Sequence, residues 1–467
     1  MSAFSQHSSH RLSRVYLRKN LALAWPLALN ALLMQSMLII DTLLVSPLGE
    51  VPLAAMGIAS TILAFALGVQ LALANGTQLI VGRVFGANDQ QGLASTVING
   101  LLINLAAAFL FLLIFHLWLE PAVNALTDRQ DIADKVQEYL AVGQYILLLN
   151  ALAQTIIALL NGRGDTKTPF QAYLLELPFN AVVSFVLIFG VSALGLNWQG
   201  LGGENLGWEG LGFVGAAFGS LAAITVRLLY LLWRLAQQTD LPAFTLKFNR
   251  SELTQHFAEI WPVATNFIVL SVGNTVYQLL FAQLNIYSYV AITLIFPWLR
   301  IATQFIVAWA QANSISITQA IGKGRHNHLA LIVRACIKLG ALMACAVSAA
   351  LFGFSLLVEV VYPNVTEQTY VALASIAPLY IALPLVRTFN TIAGNSLRAM
   401  GRSVQVLKIH FVTQWLVGVP LCGLVILYFD WGLVWAFALL PIEELLKAIP
   451  FYRLLRHQLI DGRDCSK

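Results

Sequence analysis

Twelve apolar runs of about 20 residues or more, separated by short polar stretches, divide this chain from end to end. They cover roughly 21–45, 52–75, 93–118, 137–160, 170–190, 211–233, 258–281, 286–310, 329–357, 370–393, 404–428 and 431–453. A helix rises about 1.5 Å per residue, so each run crosses a hydrocarbon core of about 30 Å with its backbone groups bonded internally. The pattern predicts an all-α integral membrane protein with twelve transmembrane helices. Charge then assigns the sides. Loops after odd-numbered runs hold only Arg129 and Lys135 as basic residues, against ten acids that include Glu204 and Glu209. The other loops and the two ends carry Arg11, Arg14, Arg18, Lys19, Arg83, Arg163, Lys167, Lys247, Arg250, Lys323, Arg325, Arg398, Arg402, Arg453 and Arg456. Lysine and arginine are held on the cytoplasmic side, so both termini are expected there.

The pattern also repeats. LAWPLALN at 23–30 returns as EIWPVATN at 259–266, which pairs Trp25 with Trp261 across 236 residues. The same offset carries Gly86, in VGRVFGAND, onto Gly322, in TQAIGKGRH. One residue more aligns LLNGRGDT (159–166) with SLRAMGRS (396–403), Gly164 falling on Gly401. Six runs per half is an even number, so both halves enter the membrane in the same sense. Such repeats are related by an axis along the membrane normal, with a substrate site expected between them near the midplane. The expected organisation is a cytoplasmic tail over 1–20, an amino-terminal six-helix lobe over 21–233 and a cytoplasmic linker over 234–256. A carboxyl-terminal six-helix lobe over 257–455 and a tail over 456–467 complete it.

Polar residues inside the runs are the candidates for chemistry, because an ionisable group in a membrane span is costly and rare. In the first run Asn30, Met34, Met37 and Asp41 fall within about 40° of one helical face. Pro26 reads as a first- or second-turn residue and a bending point. The repeat counterpart of Asp41 is Tyr277, so the fold itself does not require the acid. Gln154, Glu176, Asn180, Ser184 and Ser220 are the other polar candidates of the amino-terminal half. Asn180 and Ser184 are i, i+4 neighbours that could complete a protonatable cluster with Asp41, or simply glue helices together. Glu176 is either a snorkelling carboxylate or a relay group. In the other half Arg300 and Arg387 lie deep, and no mid-run acid is read there to neutralise them. They are expected to contact backbone carbonyls or to give a cavity a positive lining.

Composition narrows the classes. Hydrophobic residues make up 58% and charged residues 10%, with mean hydropathy +0.76, where soluble domains have about 25% charged. The net charge of +5 is sorted by membrane side and implies no nucleic-acid partner. The amino-terminal stretch has no short apolar core with a cleavage site and does not read as a secretory signal. Cys336, Cys345, Cys422 and Cys465 lack metal-type spacing, and no disulfide is expected. No metal-ligand, GxSxG or Walker-type motif is present, so neither enzyme activity, metal nor cofactor is expected. Of the eight histidines only His410 is kept as a candidate. VFGAND (84–89) and NGRGDTKTP (161–169) read as cytoplasmic turns, with Pro169 starting a helix.

Two six-span halves, the Trp-Pro of runs one and seven, VGRVFGAND, GRGDTKTP, the Asn180 region and LGFVGAAFGS (211–220) together resemble the multidrug and toxic compound extrusion (MATE) family. The resemblance covers essentially the whole chain. Asp41 is similar to the span-one acid on which DinF-like members depend for cation coupling. Ser184 stands where that branch often has a second acid, and Arg387 where NorM-like members would have one. A lone carboxylate suits a proton better than sodium, which wants several anionic oxygens. The resemblance implies a monomeric, proton-coupled antiporter of a prokaryotic inner membrane that exports organic, cationic compounds by alternating access. Sodium is the alternative ion, and a flippase for a lipid-linked or other anionic substrate is the alternative activity. Asp41, Asn180, Ser184 and Ser220 would couple the cation. Asn30, Met34, Met37, Gln154, Glu176, Tyr277, Arg300 and Arg387 would line the substrate cavity, and Pro26 would be the hinge.

Overall fold

In a computed structural model the chain is described over residues 2–190, 210–239 and 249–464. Glu204 and Glu209, Lys247 and Cys465 lie outside those residues. Eleven helices among them are long and apolar enough to cross a membrane. These are α1 (Ser2–Val45), α2 (Glu50–Gly86), α3 (Gln90–Leu126), α5 (Ile146–Arg163), α6 (Lys167–Phe189), α7 (Phe213–Ala236), α8 (Arg250–Phe281), α9 (Ile286–Gly322), α10 (Leu329–Val361), α11 (Glu367–Ala399) and the α12–α13 pass. The last is built from α12 (Ser403–Phe411) and α13 (Val419–Gly423), with π-helical stretches at Val412–Gly418 and Leu424–Tyr428. A further helix, α14 (Leu433–Asp464), lies outside that set because of the Glu443, Glu444 and Lys447 within it, and is counted as the twelfth pass. Among the described residues the fold is all-α, with twelve passes in two halves of six.

Two boundaries differ from expectation. The fourth run is not one helix: α4 (Gln130–Gly143) ends at a turn over Gln144 and Tyr145 before α5 begins. Pro26 is no first-turn residue either. The tail continues the helix because it is tied down: Tyr16 bonds His328 at 3.0 Å, Lys19 donates to Gln319 Oε1 at 2.7 Å, and Asn20 donates to the Trp309 carbonyl at 3.3 Å. Pro26 therefore stands mid-helix, where it offers no N–H to the Ala22 carbonyl and its ring crowds that turn.

The repeat is visible in the backbone. Gly164 closes α5 in the left-handed region (φ 96°), with Asp165 N bonded to Leu160 O at 2.8 Å. Gly401 closes α11 the same way (φ 80°), with Arg402 N on Leu397 O at 2.9 Å. Such ends satisfy the last carbonyls of a helix, and glycine adopts the required φ without a Cβ penalty.

Two compact units emerge. One comprises Met1–Ala28, Gly82–Asp89 and Ala258–Lys467, the other Leu29–Val81 and Gln90–Phe257. The second unit is packed around Met56, Leu63, Tyr139, Leu140, Leu147 and Phe213, with a satellite cluster around Leu160, Tyr173 and Leu231. The first unit is packed around Phe281, Ile292, Tyr380 and Phe437, and around Trp309 with Leu23 and Leu27. Exposed Leu, Phe and Trp side chains cover the outside, while polar side chains collect within, as expected where lipid replaces water.

Candidate functional site

The polar interior of the second unit is built by helical spacing. Glu176, Asn180 and Ser184 stand at i, i+4 and i+8 of α6, on one inward stripe, and all three are buried. Leu174, Leu175 and Val182 on the same helix face outward. From α7, Ser220 and Arg227 lie two turns apart on a common buried face. Gly215 and Gly219 let α7 approach α6 closely, since a Cβ on Gly219 would land on the Ser184 hydroxyl.

Asp41, near the end of α1, projects into this interior and is only 7% exposed. Its Oδ1 accepts the Asn180 amide N–H at 2.7 Å, and its Oδ2 faces the Ser220 hydroxyl at 3.4 Å. The Ser184 hydroxyl donates to Asn180 Oδ1 at 3.0 Å, which fixes the amide so that its nitrogen points at the carboxylate. The four residues Asp41, Asn180, Ser184 and Ser220 thus form one bonded cluster. Both donors to the carboxylate are neutral, and no ion pair of Asp41 occurs among the described residues. A buried carboxylate without a paired cation is costly to keep charged. That makes it suited to exchanging a proton, or to meeting a cation that arrives.

A second polar group sits on the same stripe. Arg227 donates to Glu176 Oε2 at 2.8 Å and to Asn150 Oδ1 at 3.0 Å, and its guanidinium lies 4.7 Å from the centre of the Tyr173 ring. Gln154 donates to Asn150 and to the Tyr173 hydroxyl, each at 3.3 Å. Glu176 is therefore neither snorkelling nor exposed; it is half of a buried ion pair. Arg227 was not singled out by sequence, although a basic residue two turns from Ser220 and inside an apolar run was a readable signal.

Other predicted positions are more scattered. Asn30 is buried with its Oδ1 unpartnered, Met37 is half-buried, and Met34 is 42% exposed. The face joining Asn30 to Asp41 is thus not uniformly interior. Arg300 and Arg387 are both exposed. Tyr277 is buried and donates to Glu443.

That contact overturns the expectation that the carboxyl-terminal half has no mid-run acid. Glu443 and Glu444 both stand within α14. Lys447, one turn on, pairs with Glu443 and lies 3.4 Å from Glu444. Asn390 donates to the Glu444 carboxylate at 2.7 Å. Arg387, one turn before Asn390, is within electrostatic reach of Glu444, so it has acidic company after all. A lysine one turn on offsets one of the two negative charges, which makes the acids less conspicuous in the run. Gly418 is needed here: a Cβ would land on the Tyr277 hydroxyl. Among the described residues no group of three His, Cys, Asp or Glu side chains is arranged to hold a metal.

Comparison with known proteins agrees with this architecture. Residues 26–186 match the MatE family model. The chain is 26% identical over 112 residues to a probable multidrug resistance protein NorM of Oceanobacillus iheyensis, covering 24% of this chain and 25% of that one. It is 26% identical over 174 residues to the protein of the same description in Halalkalibacterium halodurans, covering 36% and 37%. The matched stretches thus span a quarter to somewhat over a third of those relatives. Among solved structures, a MATE protein in its bent conformation superposes with a TM-score of 0.85 at 16% identity, over 97% of each chain. The Vibrio cholerae MATE transporter VcmN, also bent, gives 0.84 at 16% identity, over 96% of this chain and 98% of that one. A MOP superfamily transporter from Pyrococcus furiosus, described as having a binding pocket of reverse polarity, gives 0.83 at 17%, over 95% and 96%.

Proposed function

We propose that this chain, which belongs to the MATE family, is an antiporter that exports organic cations across a prokaryotic inner membrane in exchange for inward-moving protons. Asp41 is the exchanging group, and the observation that carries the reading is its burial among neutral donors alone. When Asp41 is ionised, the cluster offers one uncompensated negative charge, which an organic cation can neutralise. When it is protonated, that attraction is gone and the cation leaves. Proton and substrate thus compete for one carboxylate. Asn180 and Ser220 turn N–H and O–H groups toward Asp41, an arrangement that welcomes a carboxylate or its proton more readily than a bare sodium ion, which seeks oxygen lone pairs. Both termini are cytoplasmic in this reading, the protein works as a monomer by alternating access, and Pro26 is the weak point of α1.

The flippase alternative drew its support from two unneutralised deep arginines. With Glu444 within reach of Arg387 and both guanidinium groups exposed, that support weakens. The test uses vesicles loaded with ethidium under an imposed pH or sodium gradient. Asp41→Asn keeps the shape of the side chain and removes its titration, so it is expected to insert normally and to abolish gradient-driven efflux. An Asn variant that pumps at the wild-type rate sinks the proposal. Efflux driven by sodium alone replaces the proton in it.

A further inference from the structure

Arg227 has no task in the exchange just described, yet it is among the most costly side chains to bury in a membrane span. It is 5% exposed, and it is held from several sides. One N–H group goes to Glu176 and another to Asn150, while Nε has no partner. Asn150 in turn donates to Gln70 Oε1 at 2.8 Å, and Gln70 donates to the Leu147 carbonyl at 2.9 Å. Helices α2, α5, α6 and α7 therefore all contribute to fixing this one guanidinium.

The pair stands on the two helix faces that also build the Asp41 cluster. Glu176 is one turn from Asn180 on α6, and Arg227 is two turns from Ser220 on α7. The second unit thus brings two buried carboxylates, Asp41 and Glu176, into one polar column with a single guanidinium. Two uncompensated carboxylates in such a place compete for protons, because neither can afford its charge beside the other. A guanidinium bonded to one of them removes it from the competition. The titratable and charged groups near Glu176 are Asp41 from α1, Arg227 from α7 and Tyr173 on α6 itself, which lies under the guanidinium; Tyr139 from α4 faces Asp41 and Ser220 instead, and α2 and α5 bring amides only.

We infer that Arg227 is a positioning residue that commits Glu176 to a fixed ion pair and so reserves proton exchange in this unit for Asp41. The inference rests on Asp41 being the exchanging group. Without the guanidinium, Glu176 would become a second proton carrier, and each transport cycle would move more protons than one carboxylate can.

The experiment counts protons. Purified full-length protein in weakly buffered detergent is stepped between about pH 9 and pH 5, and proton uptake per molecule is compared with wild type. Arg227→Gln is expected to take up about one extra proton, that of Glu176. Arg227→Gln/Glu176→Gln, a neutral pair for a neutral pair, is expected to return to the wild-type count and, whatever its rate of ethidium efflux, to the wild-type pH midpoint of that efflux. Arg227→Lys keeps the charge and is expected to keep the count. An Arg227→Gln protein with no extra proton overturns the inference, as does a double variant whose pH profile stays displaced. If the single Gln variant does not fold, the double variant decides by its profile alone. The coupling reading fails separately: Asp41→Asn would then show the same uptake as wild type, whatever Arg227 does.

Discussion

At the scale of the residue, what matters is whether each buried charge has a partner. Lys447 is 4% exposed and leans on Glu443 and Glu444. Glu443→Gln leaves the ammonium with only the more distant carboxylate. Breaking a buried pair from one side costs about 3–5 kcal/mol. Tyr277→Phe removes only a hydrogen bond to the same carboxylate, about 1.5–3 kcal/mol. Thermal unfolding in detergent is expected to rank Glu443→Gln below Tyr277→Phe, and the reverse order would mean that Lys447 is held by Glu444 instead. Sequence alone brought out Asp41, Asn180 and Ser184, because a lone polar side chain in an apolar run stands out and i, i+4 spacing places two of them together. It passed over Arg227 and the Glu443–Glu444 pair for opposite reasons. Arg227 precedes Arg234 on the same helix and blends into the basic end of its run. The two glutamates are followed one turn on by a lysine that offsets half of their charge.

At the scale of the element, α1 is the helix whose length changes the argument. Read from the apolar run alone it begins near Leu21, and Pro26 is then harmless. Docking of Tyr16, Lys19 and Asn20 extends it to 44 residues and turns the proline into an interior defect. A hydrophobicity pattern cannot report this, since the extension is polar and is held by tertiary contacts. In a helix interior proline is about 3 kcal/mol less favourable than alanine. Pro26→Ala is accordingly expected to raise the melting temperature, while slowing ethidium efflux and leaving ethidium binding intact. Equal turnover in the two proteins would show that α1 never bends there during transport. The break between α4 and α5 was equally hidden, because the two-residue turn at Gln144 and Tyr145 interrupts the helix while apolar residues continue on both sides of it.

At the scale of the whole molecule the repeat was legible through its Trp-Pro and glycine landmarks, and those glycines prove to be more than turn residues. A Cβ on Gly86 would come within 2.5 Å of the Gln319 carbonyl oxygen, and one on Gly322 would land on that of Arg83. Overpacking of this kind costs about 1–3 kcal/mol. Gly322→Ala should therefore lower thermal stability, whereas Gly57→Ala, which has open space around it, should leave stability unchanged or raise it slightly. Equal behaviour of the two would mean that α2 and α9 can part at no cost. Gln319 is Arg83 advanced by 236 residues, and Gly322 is Gly86 advanced by the same amount. The contact is its own mirror in the numbering. The side chains trade places too: Arg83 reaches Glu259 on α8 at 2.6 Å, and Gln319 receives Lys19 from α1. A contact in which i meets j while the counterpart of j meets the counterpart of i is isologous, the mark of a two-fold homodimer. The same close approach is thus made twice, once from each half of the repeat, so that a side chain added at either glycine pushes the same two helix ends apart.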